Sequence, residues 1–207
     1  MTYQLLIIDF DGTLADTMPF MLSVSDILAD RHKLPRMDKS DLHLLKGLNA
    51  AKFMRMHHIP VWKVPILATE IQQLMFDNIE QIRLFEGMDN LIRELTRKGV
   101  HIAVVSSNAL RNVQKVLGEE LSALIDTFEC GVSMFGKADK LTRVLRESGL
   151  EARHVLSVGD EIRDIEAARA AGIPCAAVTW GFSNRDILEQ YQPNHIFDDA
   201  QQIGVVF

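Results

Sequence analysis

The sequence predicts a doubly wound α/β fold, a parallel sheet covered by helices on both faces, with a helical unit inserted after the first strand. Three observations carry that expectation. The run Leu5-Leu6-Ile7-Ile8 is apolar at four successive positions, the pattern of a strand buried on both faces of a parallel sheet. From Gly87 onward, apolar runs alternate with stretches of helical spacing, which builds such a sheet when the crossovers are right-handed. Between these, from about 15 to 84, the spacing is helical throughout, so that segment is expected to stand outside the sheet.

Each element has its own signals. After the first strand, Thr17 is placed to cap a helix with Pro19 in its first turn, and Met18, Met21, Leu22, Ser25 and Leu28 share a face. Pro35 closes it. A second helix runs from about Asp38 to Lys46 and stops at Gly47; a third, capped by Asn49, covers Ala50 to His58 before Pro60. The fourth and longest carries Leu67, Ile71, Leu74, Met75, Ile79 and Ile82 on one stripe. Four consecutive helices and no strand make a cap over 15–84, leaving 1–14 and 85–207 as the α/β core. In that core a helix (Met88, Leu91, Ile92, Leu95) ends at Gly99, and the strand Val100 to Val105 ends at Ser106-Ser107-Asn108. A helix with Val113, Val116 and Leu117 leads to a short strand near Phe128 to Val132. Gly136-Lys137 then opens a helix that stops at Gly149. The strand His154 to Val158 ends at Gly159-Asp160-Glu161, a helix follows to Gly172, and the strand Cys175 to Thr179 ends at Trp180-Gly181. A short helix and the marginal strand His195-Ile196-Phe197 finish the chain.

Composition narrows the classes. With 207 residues, 47% of them hydrophobic, the chain can fill one ample core plus a small appendage. A net charge of −6 excludes a broad basic footprint for nucleic acid. Cys130 and Cys175 form no metal or redox spacing and read as reduced thiols of a cytosolic protein. The first apolar run lacks a basic flank and is too short for a signal or membrane helix. The expectation is a soluble cytoplasmic protein, monomeric or weakly dimeric, with no nucleic-acid or membrane partner.

The chemistry is expected at the strand tips, because a sheet of this kind binds ligands outside the carboxyl ends of its strands, at the switch point. Asp9 and Asp11 end the first strand, Ser106 and Asn108 the second, and Asp160 and Glu161 a later one, while Lys137 starts the helix feeding that later strand. A buried strand has no structural use for two carboxylates at its tip unless a metal ion or a phosphoryl group pairs with them.

These residues carry a resemblance. Asp9-x-Asp11-Gly12-Thr13, the hydroxyl of Ser106, Lys137, and Gly159-Asp160-x-x-x-Asp164 together resemble the four signature motifs of haloacid dehalogenase-superfamily phosphatases, in order and spacing, over essentially the whole chain. The inserted helices resemble the small α-helical (C1-type) cap of phosphoglycolate phosphatase-like members. Leu84-Phe85-Glu86-Gly87 and Val178-Thr179-Trp180-Gly181-Phe182 are similar to that group too. The resemblance implies a Rossmann-like core and Mg²⁺-dependent hydrolysis of a small phosphorylated metabolite through an aspartyl-phosphate. Asp9 is then the nucleophile and Asp11 the general acid and base. Mg²⁺ takes the Asp9 carboxylate, the Asp11 backbone carbonyl and Asp160. Lys137 and Ser106 meet the phosphoryl oxygens, with Ser107, Asn108, Gly12 and Thr13 lining the same pocket. Glu161 and Asp164 stand behind, Asp164 holding Lys137.

Blander roles compete. Ser106 also fits a helix N-cap, Asn108 a cap or supporting donor, Glu161 a favourable first-turn acid, and Lys140 an ordinary solvated lysine beside Lys137. His57-His58 lacks a further ligand at metal spacing. The cap turn Lys46-Gly47-Leu48-Asn49 resembles the loop that dips into the site in relatives. Lys46, Lys52 and Arg55 suit a carboxylate or second phosphate, though solvated charge is the simpler reading. A phosphomutase of the β-phosphoglucomutase type would use the same phosphoaspartate. A haloalkanoate dehalogenase is disfavoured because Asp11 is present, and a receiver-type signalling module should lack both the cap and the Asp-Gly-Thr turn.

Overall fold

The computed structural model describes residues 3–36, 54–131 and 136–207. The apolar run forms strand β1 (Leu5–Ile8), buried at every position. Alternate side chains point to opposite faces, so Leu6 and Ile8 join one apolar cluster while Leu5 and Ile7 join another. After β1 the chain wraps around one carbonyl. Phe10 O accepts from the amides of Thr13, Leu14 and Ala15 at 3.3, 3.0 and 2.9 Å. Gly12 takes φ +77 in this turn, a left-handed conformation that glycine adopts without steric cost.

The inserted unit begins with β2 (Ala15–Asp16) and α1 (Met18–His32), and continues through a helical stretch at 54–56 and a 3₁₀ turn at Val61–Lys63 to α2 (Val64–Asp77). It closes with a 3₁₀ turn at Ile79–Gln81 and β3 (Arg83–Leu84). Three expectations need correction here. First, the segment is not strand-free: β2 and β3 pair antiparallel, Ala15 with Leu84 and Asp16 with Arg83, and Phe85 N–H extends the pairing to Leu14 O at 2.9 Å. Two residues per strand are too few to leave a period in the sequence. Second, Thr17 stands at the start of α1 without capping it by its side chain, because its backbone is already near-helical (φ −95, ψ −4). Third, α2 stops at Asp77, so Ile79 and Ile82 lie beyond it. Met75 enters one core cluster from α2 and Ile82 from the link just before β3, which is why the apolar spacing looked continuous. The helix expected over Asp38 to Lys46, and residues 50–53 of the next, lie outside the described residues.

The core follows: α3 (Met88–Arg97), β4 (His101–Val105), α4 (Leu110–Ser122), β5 (Thr127–Glu129), α5 (Lys137–Ser148), β6 (Val155–Gly159), α6 (Ile162–Ala170), β7 (Cys175–Val178), α7 (Arg185–Gln190), β8 (His195–Phe197) and α8 (Ala200–Val205). Six strands pair parallel in the order β5-β4-β1-β6-β7-β8, so the sheet grows outward in both directions from β1 and the switch point falls between β1 and β6. Helices α3, α4 and α8 cover the face that takes Leu6 and Ile8, and α5, α6 and α7 the other. Phe20, Val24, Leu28, Leu67 and Met75 of the insertion join the first cluster, so cap and core share one apolar interior. Among the described residues no helix is long and apolar enough to cross a membrane, and Cys130 and Cys175 are free.

Candidate active site

The tips of β1 and β6 meet beside the N-terminal ends of α5 and α6. Asp9 follows β1 directly, and its amide donates to Val158 O at 3.0 Å, extending the ladder by one residue. Its buried carboxylate lies 3.0 Å from the Lys137 ammonium, the first residue of α5. The same ammonium donates to Asp164 Oδ1 at 2.5 Å. The other oxygen of Asp164 accepts the amides of Asp160 and Glu161, at 3.1 and 2.9 Å, so this carboxylate fixes both the lysine and the tip of β6. Asp160 is entirely buried. Its oxygens accept from the Thr13 hydroxyl at 2.8 Å and the Phe182 amide at 2.7 Å, neither of them charged. Backbone packs tightly around it: a Cβ on Gly181 would come within 2.3 Å of Asp160 Cβ and 2.4 Å of Gly12 O. One oxygen from each of Asp9, Asp160 and Asp164 lies within 4.8 Å of the others.

Asp11 is held from the tip of β4. Asn108 Nδ2 donates to its two oxygens at 3.0 and 3.1 Å, and the Ser106 hydroxyl stands 3.5 Å away. The Ser106 oxygen accepts the Asn108 amide at 2.9 Å, a local turn rather than a helix cap. Asn108 Oδ1 accepts from the Ala109 amide and from Asn112, which fixes the amide's orientation. The insertion reaches the same loop through α2. Gln72 donates to Ser107 O at 2.8 Å, Asn112 donates to Gln72 O at 2.9 Å, and Asn108 Nδ2 lies 3.0 Å from Met75 Sδ.

Burial dominates the electrostatics. It pushes the Asp9 carboxyl up to about 7 against the opposing pull of Lys137, and raises Asp11 against Asn108 and Thr17. Asp160 is raised well above its ordinary value, by burial first and then by Glu161, Asp164 and Asp9. Burial opposes ionisation of Asp164 too, but Lys137 and Arg163 more than offset it and hold the group low. For Lys137, burial works against the charge, yet Asp164 and Asp9 raise it overall. A desolvated carboxylate among three others, with only neutral donors, is a costly arrangement. A hard divalent cation with oxygen ligands removes that cost, so the donor set fits Mg²⁺.

Asp9, Asp11, Gly12, Thr13, Ser106, Asn108, Lys137, Asp160 and Asp164 are thus brought together, and Ser107 lines a cavity with Asp9 and Lys137. Glu161 turns aside to pair with Arg163. Arg55 is exposed, and Lys46, Lys52 and their turn lie outside the described residues. Lys140 differs from the solvated lysine expected: its ammonium donates to the carbonyls of Ser106, Glu129 and Gly131 at 2.9, 3.2 and 3.0 Å, tying the tips of β4 and β5 together. Sequence reasoning missed Gln72, Asn112 and Arg163. For the first two no local signal exists, since only the fold carries α2 to this loop; Arg163 stood in plain view between Asp160 and Asp164.

The chain is similar to known proteins over nearly its whole length. Residues 6–178 match the family model of haloacid dehalogenase-like hydrolases. The chain is 29% identical over 201 residues to a phosphoglycolate phosphatase of Synechococcus elongatus, covering 97% of this chain and 95% of that one. It is 26% identical over 211 residues to the pyrophosphatase PpaX of Bacillus cereus, covering 98% and 95%. Among solved structures, a haloacid dehalogenase-like hydrolase from Streptococcus pneumoniae superposes with a TM-score of 0.80 at 19% identity over 98% and 97% of the two chains, a likeness of fold.

Proposed function

The chain belongs to the haloacid dehalogenase-like hydrolase family, and from that premise we propose that it is a phosphatase that hydrolyses a small, phosphoglycolate-like phosphomonoester through an aspartyl-phosphate on Asp9. The observation that carries this reading is the Lys137 ammonium bridging Asp9 and Asp164 at the sheet's switch point, with Asp160 buried alongside. The names its relatives bear support a phosphate-bearing substrate.

The chain's own groups divide the work. Asp9 Oδ attacks phosphorus and the bond from phosphorus to the leaving oxygen breaks. Asp11 gives that oxygen its proton, then takes one from the water that attacks the aspartyl-phosphate, releasing phosphate and the free Asp9 carboxylate. Burial raises Asp11, which favours the protonated form the first half-reaction needs. Asn108 keeps its carboxyl oriented between the two steps. Lys137 and the Ser106 hydroxyl donate to the phosphoryl oxygens, and Asp164 holds the lysine in place. Mg²⁺, bound by the Asp9 and Asp160 carboxylates and the Asp11 carbonyl, would neutralise charge on those oxygens. Residues 15–84 act as a lid that excludes water; the β2–β3 neck at its two ends supports that division.

The test is a screen of small phosphate esters with and without EDTA, on wild type and Asp9→Asn. Phosphate release is expected only from wild type with metal; release that survives EDTA or the substitution would sink the mechanism.

A further inference from the structure

Lys137 is short of donors for the task given to it. An ammonium has three; Asp164 takes one at 2.5 Å, and Asp9 draws on the same ammonium as an ion pair at 3.0 Å. What is left must serve a phosphoryl group with three peripheral oxygens. The cavity in front of it is lined by two further cations, Lys140, whose ammonium is taken up by three backbone carbonyls, and Arg163. Asp9, Ser106, Lys137 and Arg163 line one space of about 300 Å³ between α5 and α6. Arg163 is the second residue of α6, whose first turn is already capped by Glu161 and Asp164, so the guanidinium is what this end of the helix offers an anion. The guanidinium is only partly engaged. One Nη contacts Glu161, while Nε is buried with no hydrogen-bond partner. A buried donor left unmade is costly, and a guanidinium matches phosphate oxygens in a two-pronged geometry. Its field already reaches the reacting carboxylates, pulling weakly against the burial that raises both Asp9 and Asp11.

We propose that Arg163 is a second cationic anchor for the transferring phosphoryl group, gripping its oxygens beside Lys137 from the cavity between α5 and α6. This rests on the phosphatase reading above. Three oxygens then meet the remaining Lys137 donor, the Ser106 hydroxyl and the Arg163 fork. The anchor grips the phosphoryl group rather than the rest of the substrate, so it is used by any ester and by the product alike.

The experiment titrates the Mg²⁺-loaded protein with inorganic phosphate by calorimetry, alongside KM for p-nitrophenyl phosphate. Arg163→Gln is expected to weaken phosphate binding about 10- to 100-fold, the range for a lost charge-assisted hydrogen bond, and to raise KM similarly. Arg163→Lys recovers part of this, because a point charge replaces the fork, and it carries the test if the glutamine variant does not fold. Glu161→Gln separates anchoring from mere ion pairing: freeing the guanidinium should tighten phosphate binding, whereas a structural pair would make it behave like Arg163→Gln. Phosphate affinity within twofold of wild type in both Arg163 variants overturns the anchor while leaving the phosphatase reading intact. A raised KM with unchanged phosphate affinity also overturns it, moving Arg163 to the leaving group. Wild type that neither binds phosphate nor hydrolyses any ester overturns both.

Discussion

Asp9→Asn should make the metal-free protein more stable, not less. The Asp9 carboxyl is buried and raised from 3.8 to about 7, chiefly by desolvation. A raised acid means that the folded state holds the proton more tightly than the unfolded chain. Its contribution is therefore favourable only in the protonated form, and stability falls as pH rises from about 4 to about 7. An amide is close in shape to the protonated acid and escapes this loss. About three pKa units at about 1.4 kcal/mol each give up to about 4 kcal/mol at pH 8, shrinking to under half of that at pH 5. For a domain of this size that corresponds to roughly 8–16 °C in Tm at pH 8. The assay is thermal unfolding of both proteins in EDTA at pH 5 and pH 8, repeated with Mg²⁺. Magnesium should stabilise the wild type by cancelling the buried charge, by about 2.7 kcal/mol at a hundredfold excess over Kd, and so raise its Tm, and should do much less for Asp9→Asn. A substituted protein that melts at or below wild type at pH 8 without metal would refute the reasoning.

Other perturbations separate the parts of the site. Asn108→Ala removes the amide that holds Asp11 and should lower kcat about 10- to 100-fold with little change in KM; steady-state kinetics decide. Lys140→Met strands the three carbonyls of Ser106, Glu129 and Gly131; it should cost about 1–3 kcal/mol in denaturant unfolding and slow turnover through Ser106. Gly181→Ala places a Cβ 2.3 Å from Asp160 Cβ and 2.4 Å from a backbone oxygen. It should abolish Mg²⁺-dependent stabilisation even where the protein still folds, as read by melting with and without metal.

What was legible in the sequence was whatever one element states by itself. Leu5–Ile8 announced a two-faced buried strand because all four residues are apolar, and the acids at strand tips became a candidate site once the parallel order was assumed, because such a sheet gathers its carboxyl ends at one edge. Contacts between distant elements were silent. Asn112 and Gln72 lie forty positions apart and meet only because α2 folds back over α4. Lys140 looked solvated because its partners are backbone carbonyls, which no side-chain pattern reveals. The β2–β3 neck is four residues in all, below the length at which alternation can be recognised. Thr17 carried the right letter for a cap, but its backbone conformation was decided by the turn before it.

The central claim is that Asp9 carries the phosphoryl group. Acid quench of the Mg²⁺-loaded enzyme during turnover, followed by borohydride reduction and peptide mapping, tests it directly, because borohydride converts an aspartyl-phosphate to homoserine. Homoserine is expected at position 9, only when substrate and metal are both present. Turnover that proceeds while position 9 stays unmodified, or with the label on another carboxylate, would contradict it.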